Sequence, residues 1–226
     1  MNQNLAFALK QVMLRPVKLE LLNTYRGLPV VYAATLQSVA EEAFTVKVTG
    51  YEIVCLTLEP ATTLLSPLLE DPVRANVLAC NLASGLATLG NFQYTSARVG
   101  DRMIARVAPQ APLAVELEAG GQTLTGQLAD VSVTGLGLIV PLTEAAYLRP
   151  NLPVSVALTL PLEPATLLRL VGTVRSVKLD GTVNRIGIQF TPQTQPFVIH
   201  QYVRERQGEI TRELKALYEQ RITQSR

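Results

Sequence analysis

Two short groups of residues in the second half of the chain have the types and spacing to bind a nucleotide. Arg102 and Arg106 lie four residues apart in a polar stretch without a clean hydrophobic period. Asp130 follows Arg106 by 24 residues and begins the run Asp130-Val-Ser132-Val-Thr-Gly135. A guanidinium can grip a phosphate, grip the O6/N7 edge of guanine, or stack on a base. Residues of these types have the chemistry to contact an anionic ligand that carries bases, but the spacing of the two arginines means little alone.

The acidic group has a specific chemistry of its own. The Asp130 carboxylate can accept hydrogen bonds from guanine N1–H and N2–H, and the Ser132 hydroxyl can donate to a phosphate or a base. Gly135 either lets the backbone approach closely or supplies a positive φ that a side chain would forbid. The alternative is a plain turn in which Asp130 and Ser132 bond to their own backbone.

The arginines also have an alternative interpretation. Arg102 and Arg106 would then be ordinary linker charges, since a chain with 15 Arg and 5 Lys contains Arg pairs at this spacing by chance. Arg98 and Arg175 are secondary candidates for ligand binding. Their alternatives are a solvated linker charge for Arg98 and a strand-surface charge for Arg175.

Composition limits the classes of function. Hydrophobic residues make up 48% of the 226 residues and charged residues 17%, which is typical of a globular protein. A net charge of +2 gives no general attraction to nucleic acid or membranes. Since no run approaches 18 uninterrupted apolar residues, we expect no membrane span and a cytoplasmic location. Cys55 and Cys80 are expected to be buried and reduced, and with His200 as the only histidine they predict no metal site.

The pattern along the chain predicts an all-β protein with two small domains. Residues 1–95 show a short leading helix over residues 3–13 and then about six short strands, with Ile53–Leu58 as one of the strands and Thr62–Leu69 as a loop or one helical turn. Residues 96–226 show a second series of six strands, with Ala119-Gly120-Gly121 and Asp180-Gly181 as hairpin signals. A helix is predicted from about residue 194. That helix packs on its own barrel, or it serves a homodimer or another partner.

The two groups of residues, read as RxxxR and (D/N)xSxxG, resemble the ligand signature of the PilZ family of bacterial receptor domains. The resemblance covers about residues 97 to 195, including the later strands around Arg175 and Asn184–Phe190. It implies a six-stranded PilZ-type barrel and cyclic di-GMP as the ligand, without a cofactor. By this resemblance the ligand-binding residues are Arg102, Arg106, Asp130, Ser132 and Gly135.

The arrangement of two barrels with RxxxR between them resembles flagellar-brake-type PilZ proteins, in which residues 1–95 would be the PilZN-like domain. The function implied is a receptor that changes its interdomain orientation on binding cyclic di-GMP. It would then signal to an unidentified protein of the motility, secretion or exopolysaccharide machinery. The alternative is a degenerate PilZ adaptor that binds protein only, without nucleotide.

No catalytic motif is present, because the chain has no GxSxG, HExxH, P-loop or GxGxxG sequence. We therefore predict a binding protein rather than an enzyme. A small β-barrel for single-stranded nucleic acid is a further alternative. That function needs stacking aromatic residues on a basic face, whereas aromatic residues are only 5% and Trp is absent, so nucleic acid is not expected as a partner.

Overall fold

The computed structural model describes residues 18–40, 43–95, 105–192 and 196–224. Over these residues the chain forms twelve strands that close into two six-stranded barrels. The chain divides into two compact units. The first comprises Met1–Tyr25, Pro29–Met103 and Ile210–Arg226, and the second comprises Arg26–Leu28 and Ile104–Glu209. The prediction of an all-β protein with a six-stranded second barrel and a C-terminal helix is confirmed.

The first barrel is a closed antiparallel sheet around an apolar core. Its strand order is β1-β2-β3-β6-β5-β4. Strand residues that alternate along the chain point to opposite faces, so the inward set, including Leu21, Phe44 and Leu89, is buried. The strands are β1 (Leu19–Tyr25), β2 (Leu28–Val39), β3 (Ala43–Lys47), β4 (Ala61–Leu65), β5 (Val73–Asn81) and β6 (Leu86–Tyr94).

The segment between β3 and β4 differs from the sequence prediction. Ile53–Leu58 was expected as a strand, but a 3-10 turn (Tyr51–Val54) runs directly into the short helix α1 (Cys55–Leu58). Four consecutive residues, Ile53 to Leu56, are buried, which a half-buried strand would not allow. A short apolar run does not distinguish a buried strand from a buried helical turn, and here the helical form fills the core. Thr62–Leu69 was expected as a loop or a helical turn, but β4 covers its first part.

The second barrel repeats the arrangement of the first. Its strand order is β7-β8-β9-β12-β11-β10, so the first and fourth strands of each barrel pair to close it. The predicted hairpin at Gly120 and Gly121 is present, with φ angles of 60° and 77° that favour glycine. The strands are β7 (Ala114–Ala119), β8 (Gln122–Ser132), β9 (Gly135–Pro141), β10 (Pro153–Leu160), β11 (Thr166–Asp180) and β12 (Val183–Phe190).

The two barrels also share the position of a β-bulge. The pairing of β2 with β3 shifts between Leu36 and Ser38, and the pairing of β8 with β9 shifts between Leu128 and Asp130. Beyond each shift, Ser38 pairs with Thr45 and Asp130 pairs with Gly137. Ser38 is therefore the counterpart of Asp130 in the first barrel.

Helix α2 (Pro196–Gln224) follows the second barrel. Its residues 196–209 belong to the second unit and residues 210–224 to the first. Leu214 is part of the apolar core of the first barrel. The predicted helix over residues 3–13 lies outside the described residues, and the domain boundary near residue 95 stays a prediction. Among the described residues, no helix combines the length and apolar character that crossing a membrane requires.

Candidate functional site

The bulge in β8 determines which way Asp130 faces. Leu124 and Leu128 point into the barrel, and regular alternation would send Asp130 inward as well. The extra residue at the bulge resets the alternation, so Val131 enters the core and Asp130 faces Arg185 on the outer face of β12. The sequence thus places a carboxylate on the outside of the barrel, at the end of a strand.

Two arginines hold the Asp130 carboxylate, one on each oxygen. Arg106 Nη1 donates to Oδ1 at 3.0 Å, and Arg185 Nη2 donates to Oδ2 at 2.7 Å. The Asp130 side chain is only 10% exposed, whereas those of Arg106 and Arg185 are 36% and 51% exposed. Charge-assisted bonds of this kind are short and directional. The cluster carries two positive charges against one negative charge, so it suits an anionic ligand.

The backbone around Arg106 is fixed beside β8. Val107 forms an isolated antiparallel bridge with Val131, in which each N–H donates to the other's carbonyl at 2.9 and 3.0 Å. The Val107 side chain is fully buried. Ala108 N–H donates to the Arg26 carbonyl at 2.8 Å. These bonds bring Arg106 beside Asp130 although 24 residues separate them in the sequence.

Helix α2 contacts the same segment from the other side. Arg206 is 2% exposed, and its Nε donates to the Ala108 carbonyl at 2.9 Å. Its Nη1 pairs with Glu209 at 2.9 Å. A buried arginine that bonds to a backbone carbonyl restrains that backbone, because moving it would leave a buried polar group without its partner. Arg206 therefore fixes the chain two residues after Arg106.

Ser132 and Gly135 close the turn between β8 and β9. Ser132 is buried, and its hydroxyl donates to the Gly135 carbonyl at 3.1 Å. Gly135 does not have a positive φ, so that half of its prediction is wrong. A Cβ at Gly135 would lie 2.3 Å from the Ile188 carbonyl oxygen, so the glycine allows close approach of β12.

Two glycines that the sequence analysis missed lie next to Asp130. Gly137 pairs with Asp130 on one side and with Gly187 on the other. A Cβ at Gly137 would lie 2.8 Å from Asp130 Oδ2, and one at Gly187 would lie 2.7 Å from Ser176 Oγ. The missing side chain at Gly137 makes room for the Asp130 carboxylate, and the one at Gly187 makes room for the Ser176 hydroxyl. In the sequence both glycines stand inside runs typical of strands. A glycine in such a place often marks the close approach of another group to the backbone.

Of the remaining candidate arginines, Arg175 is the one that lies in the described part of the chain. Arg175 occupies the bulge between Val174 and Ser176 in β11, and its Nε donates to Gln189 Oε1 at 2.6 Å. Gln189 in turn pairs with Gly135 on β9. Arg98 and Arg102 lie outside the described residues, so their roles stay predictions.

The two cysteines belong to the first barrel unit, Cys55 in α1 and Cys80 in β5. Burial raises the pKa of the Cys55 thiol to about 12, and nearby Glu59 and Glu52 add to the effect. Burial also raises the pKa of Cys80. Both thiols are free, and Cys55 is buried as expected, but Cys80 is only half-buried, so that part of the prediction is wrong. In the described part of the chain, no three His, Cys, Asp or Glu residues cluster in a way that could hold a metal ion.

Comparison with known proteins identifies the class of the second barrel. Residues 100–205 match the family model of the PilZ domain, so this part of the chain is a PilZ domain. The same match supports the prediction of a binding protein rather than an enzyme. No curated protein matches the chain.

Several solved structures resemble the chain at low sequence identity. The MrkH–c-di-GMP complex of K. pneumonia is 11% identical over 94% of this chain and 97% of its own, with a TM-score of 0.48. The inhibitor of motility MotI/DgrA of Bacillus subtilis is 12% identical over 85% and 96%, with a TM-score of 0.45. YcgR of Escherichia coli in complex with c-di-GMP is 15% identical over 99% and 94%, with a TM-score of 0.40.

Proposed function

We propose that the chain is a receptor for cyclic di-GMP and that the ligand binds at Asp130 and its arginines. The observation that carries the proposal is the ion-pair cluster in which Asp130 lies between Arg106 and Arg185, on the outer face of a PilZ domain. The cluster has a surplus positive charge and a directional acceptor. A ligand with two phosphates and two guanines matches these features.

Each residue has a distinct task in this proposal. Arg106 exchanges part of its pairing with Asp130 for a phosphate or a guanine O6/N7 edge. Asp130 accepts from the N1–H and N2–H of the same base. Ser132 donates to the ligand or holds the turn, and Gly135 keeps the strands close enough to form the site. We include Arg102 as a second phosphate ligand, with Arg98 and Arg175 as secondary contacts.

The proposal includes a conformational response. Arg106 belongs to the segment that joins the two barrels, and its neighbours Val107 and Ala108 are bonded to β8 and to helix α2. Binding at Arg106 would therefore act on this connection and change the relative orientation of the barrels. The changed surface would engage or release a protein partner in motility, secretion or exopolysaccharide synthesis. We expect this to take place in the cytoplasm.

Titration calorimetry of the whole chain with cyclic di-GMP tests the proposal. We expect saturable binding, and a flat trace at tens of micromolar ligand would overturn the receptor function in favour of an adaptor that binds protein only. Arg106→Ala should weaken binding about 10- to 100-fold, because one charge-assisted contact contributes about 1.5–3 kcal/mol. Arg169→Ala is the matched control, since Arg169 is exposed on β11 six residues from Arg175.

A further inference from the structure

Arg185 on β12 reaches Asp130 on β8 across the one strand between them, β9. The two residues are 55 positions apart in the sequence, and their atoms Nη2 and Oδ2 are 2.7 Å apart. In the register, Asp130 pairs with Gly137 and Gly137 with Gly187, while Arg185 lies two residues before Gly187. Residues two apart on a strand share a face, so Arg185 and Gly187 lie on the same side of β12. A long side chain can span the diagonal that remains.

The glycine at position 137 makes this contact possible. A Cβ there would lie 2.8 Å from Asp130 Oδ2, the oxygen that Arg185 binds. Any larger residue would displace the carboxylate from Arg185. Gly187 leaves the adjoining position on β12 without a side chain as well. The Arg185–Asp130 pair is therefore built into the sheet and is not an incidental surface contact.

Arg185 has donors beyond the one that holds Asp130. A guanidinium has five N–H donors in a fixed plane, and the bond to Asp130 engages Nη2. The side chain is 51% exposed, so part of the fork lies at the surface. Since Arg106 already pairs with the other oxygen of Asp130, Arg185 contributes the surplus positive charge of the cluster. A fixed, half-exposed guanidinium with surplus charge suits a phosphate.

We propose that Arg185 is a further ligand-binding residue of this site, which holds Asp130 through Nη2 and contacts a ligand phosphate with its remaining donors. This inference rests on the proposed function. It adds to the two sequence groups a third element, contributed by β12. The resulting site grips its ligand from both sides of the Asp130 carboxylate, with Arg106 on one side and Arg185 on the other.

Titration of cyclic di-GMP into wild type, Arg185→Gln and Arg169→Gln tests the inference. Both variants lose one positive charge from the outer face of the same barrel. Arg169 lies on β11, six residues from Arg175, and is not a member of the Asp130 cluster. We expect Arg185→Gln to weaken binding about 10-fold or more and Arg169→Gln to stay within about twofold of wild type. If wild type binds and Arg185→Gln binds equally well, the inference fails alone. If wild type does not bind, the proposed function fails.

The salt dependence of binding separates a phosphate contact from mere support of Asp130. A direct contact between charges makes affinity fall with salt, so its loss should flatten the slope of log Kd against log salt. We expect a shallower slope for Arg185→Gln than for Arg169→Gln. Weaker binding with an unchanged slope would overturn the phosphate contact. Arg185→Lys, which keeps the charge but loses the fork, should recover part of the affinity, and equal thermal midpoints would show that all variants fold.

Discussion

The two barrels have the same strand order and a bulge at the same place, yet only one of them carries the charged cluster. The strand register matches five positions of the candidate site in the second barrel with positions in the first barrel, and the first barrel has an uncharged residue at each of them. The equivalent pairs, with the second barrel first, are Asp130 and Ser38, Ser132 and Ala40, Gly135 and Ala43, Arg175 and Leu78, and Arg185 and Leu86.

The first barrel places its polar groups inside instead. The Asn23 amide donates to Glu59 Oε2 at 2.9 Å, and its oxygen accepts from Tyr32 at 2.7 Å and Thr62 at 2.8 Å. Asn23, Tyr32 and Thr62 are buried and bond to one another, while Glu59 is half-buried, and such a satisfied network suits a structural role. On the outer face, Leu78 is 54% exposed. The fold therefore supplies the positions, and the residue at each position decides whether a site forms.

The largest expected effect is at the pair Asp130 and Ser38. Asp130→Asn keeps the shape but removes the charge that orients Arg106 and Arg185, and it removes an acceptor for guanine. We expect cyclic di-GMP affinity to fall about 100-fold, which corresponds to about 2.7 kcal/mol. Calorimetry of Ser38→Ala should match wild type. Comparable losses in both variants would mean that the first barrel binds ligand as well.

Next in size is the network inside the first barrel. Asn23→Ala would leave the hydroxyls of Tyr32 and Thr62 without their shared acceptor in a buried place. We expect the free energy of unfolding to fall by about 2 kcal/mol in urea denaturation. Ligand affinity should not change. Asn76→Ala, at an exposed position on β5, is the control and should be close to neutral. A loss of affinity in Asn23→Ala would contradict a purely structural network.

A smaller effect is expected at Gly135, the first residue of β9, and at its counterpart Ala43, the first residue of β3. Gly135→Ala would place a Cβ 2.3 Å from the Ile188 carbonyl and push β9 away from β12. The two strands carry the glycines and Arg185, so we expect affinity to fall about 10-fold through a small shift of the site. Ala43→Gly, the reverse change in the first barrel, should leave the affinity for cyclic di-GMP unchanged in calorimetry. Full affinity in Gly135→Ala would show that the strand spacing is not critical.

The smallest effect concerns alkaline pH and the core of the first barrel. Burial raises the pKa of Cys55 to about 12, above the ordinary value of 9.0. The folded chain therefore keeps the thiol protonated over a pH range in which the unfolded chain loses the proton. The free energy of unfolding keeps its full value below about pH 9 and falls as the pH rises toward 12. At pH 10 the loss is roughly 1 kcal/mol.

Urea unfolding at pH 8 and pH 10 measures this loss. Cys55→Ala should be less stable at both values, because it leaves a cavity, but it should show a smaller difference between them. Burial also raises the pKa of Tyr32, so part of the alkaline destabilisation should remain in the variant. An identical pH dependence in wild type and Cys55→Ala would contradict the assignment to Cys55.

The strands of the second barrel could be predicted because turns with glycine separate clear alternating runs, as at Gly120–Gly121 and Gly181. The helical form of Ile53–Leu58 could not, because its four buried residues in succession fit either kind of element until the surrounding core is known. Strand β4 (Ala61–Leu65) was missed for a similar reason, since it depends on pairing with β1 and β5.

The candidate site could be predicted only where its residues share a local pattern. Asp130, Ser132 and Gly135 lie on either side of one tight turn, so their spacing is visible in the sequence. Arg185 contacts Asp130 because a bulge and the register of three strands bring them together, and no local spacing encodes that. The rotation of Asp130 out of the core likewise depends on one inserted residue.

The bond from Arg206 to the Ala108 carbonyl has a practical meaning for anyone who wishes to express the PilZ domain by itself. The family match ends at residue 205, one position short of this arginine, while the compact unit continues to Glu209. A fragment trimmed to the match would lack the anchor that holds the backbone after Arg106. Weak binding by such a fragment would then be caused by the missing anchor and not by a defect of the ligand site. A minimal binding fragment should therefore retain at least Arg206 and Glu209.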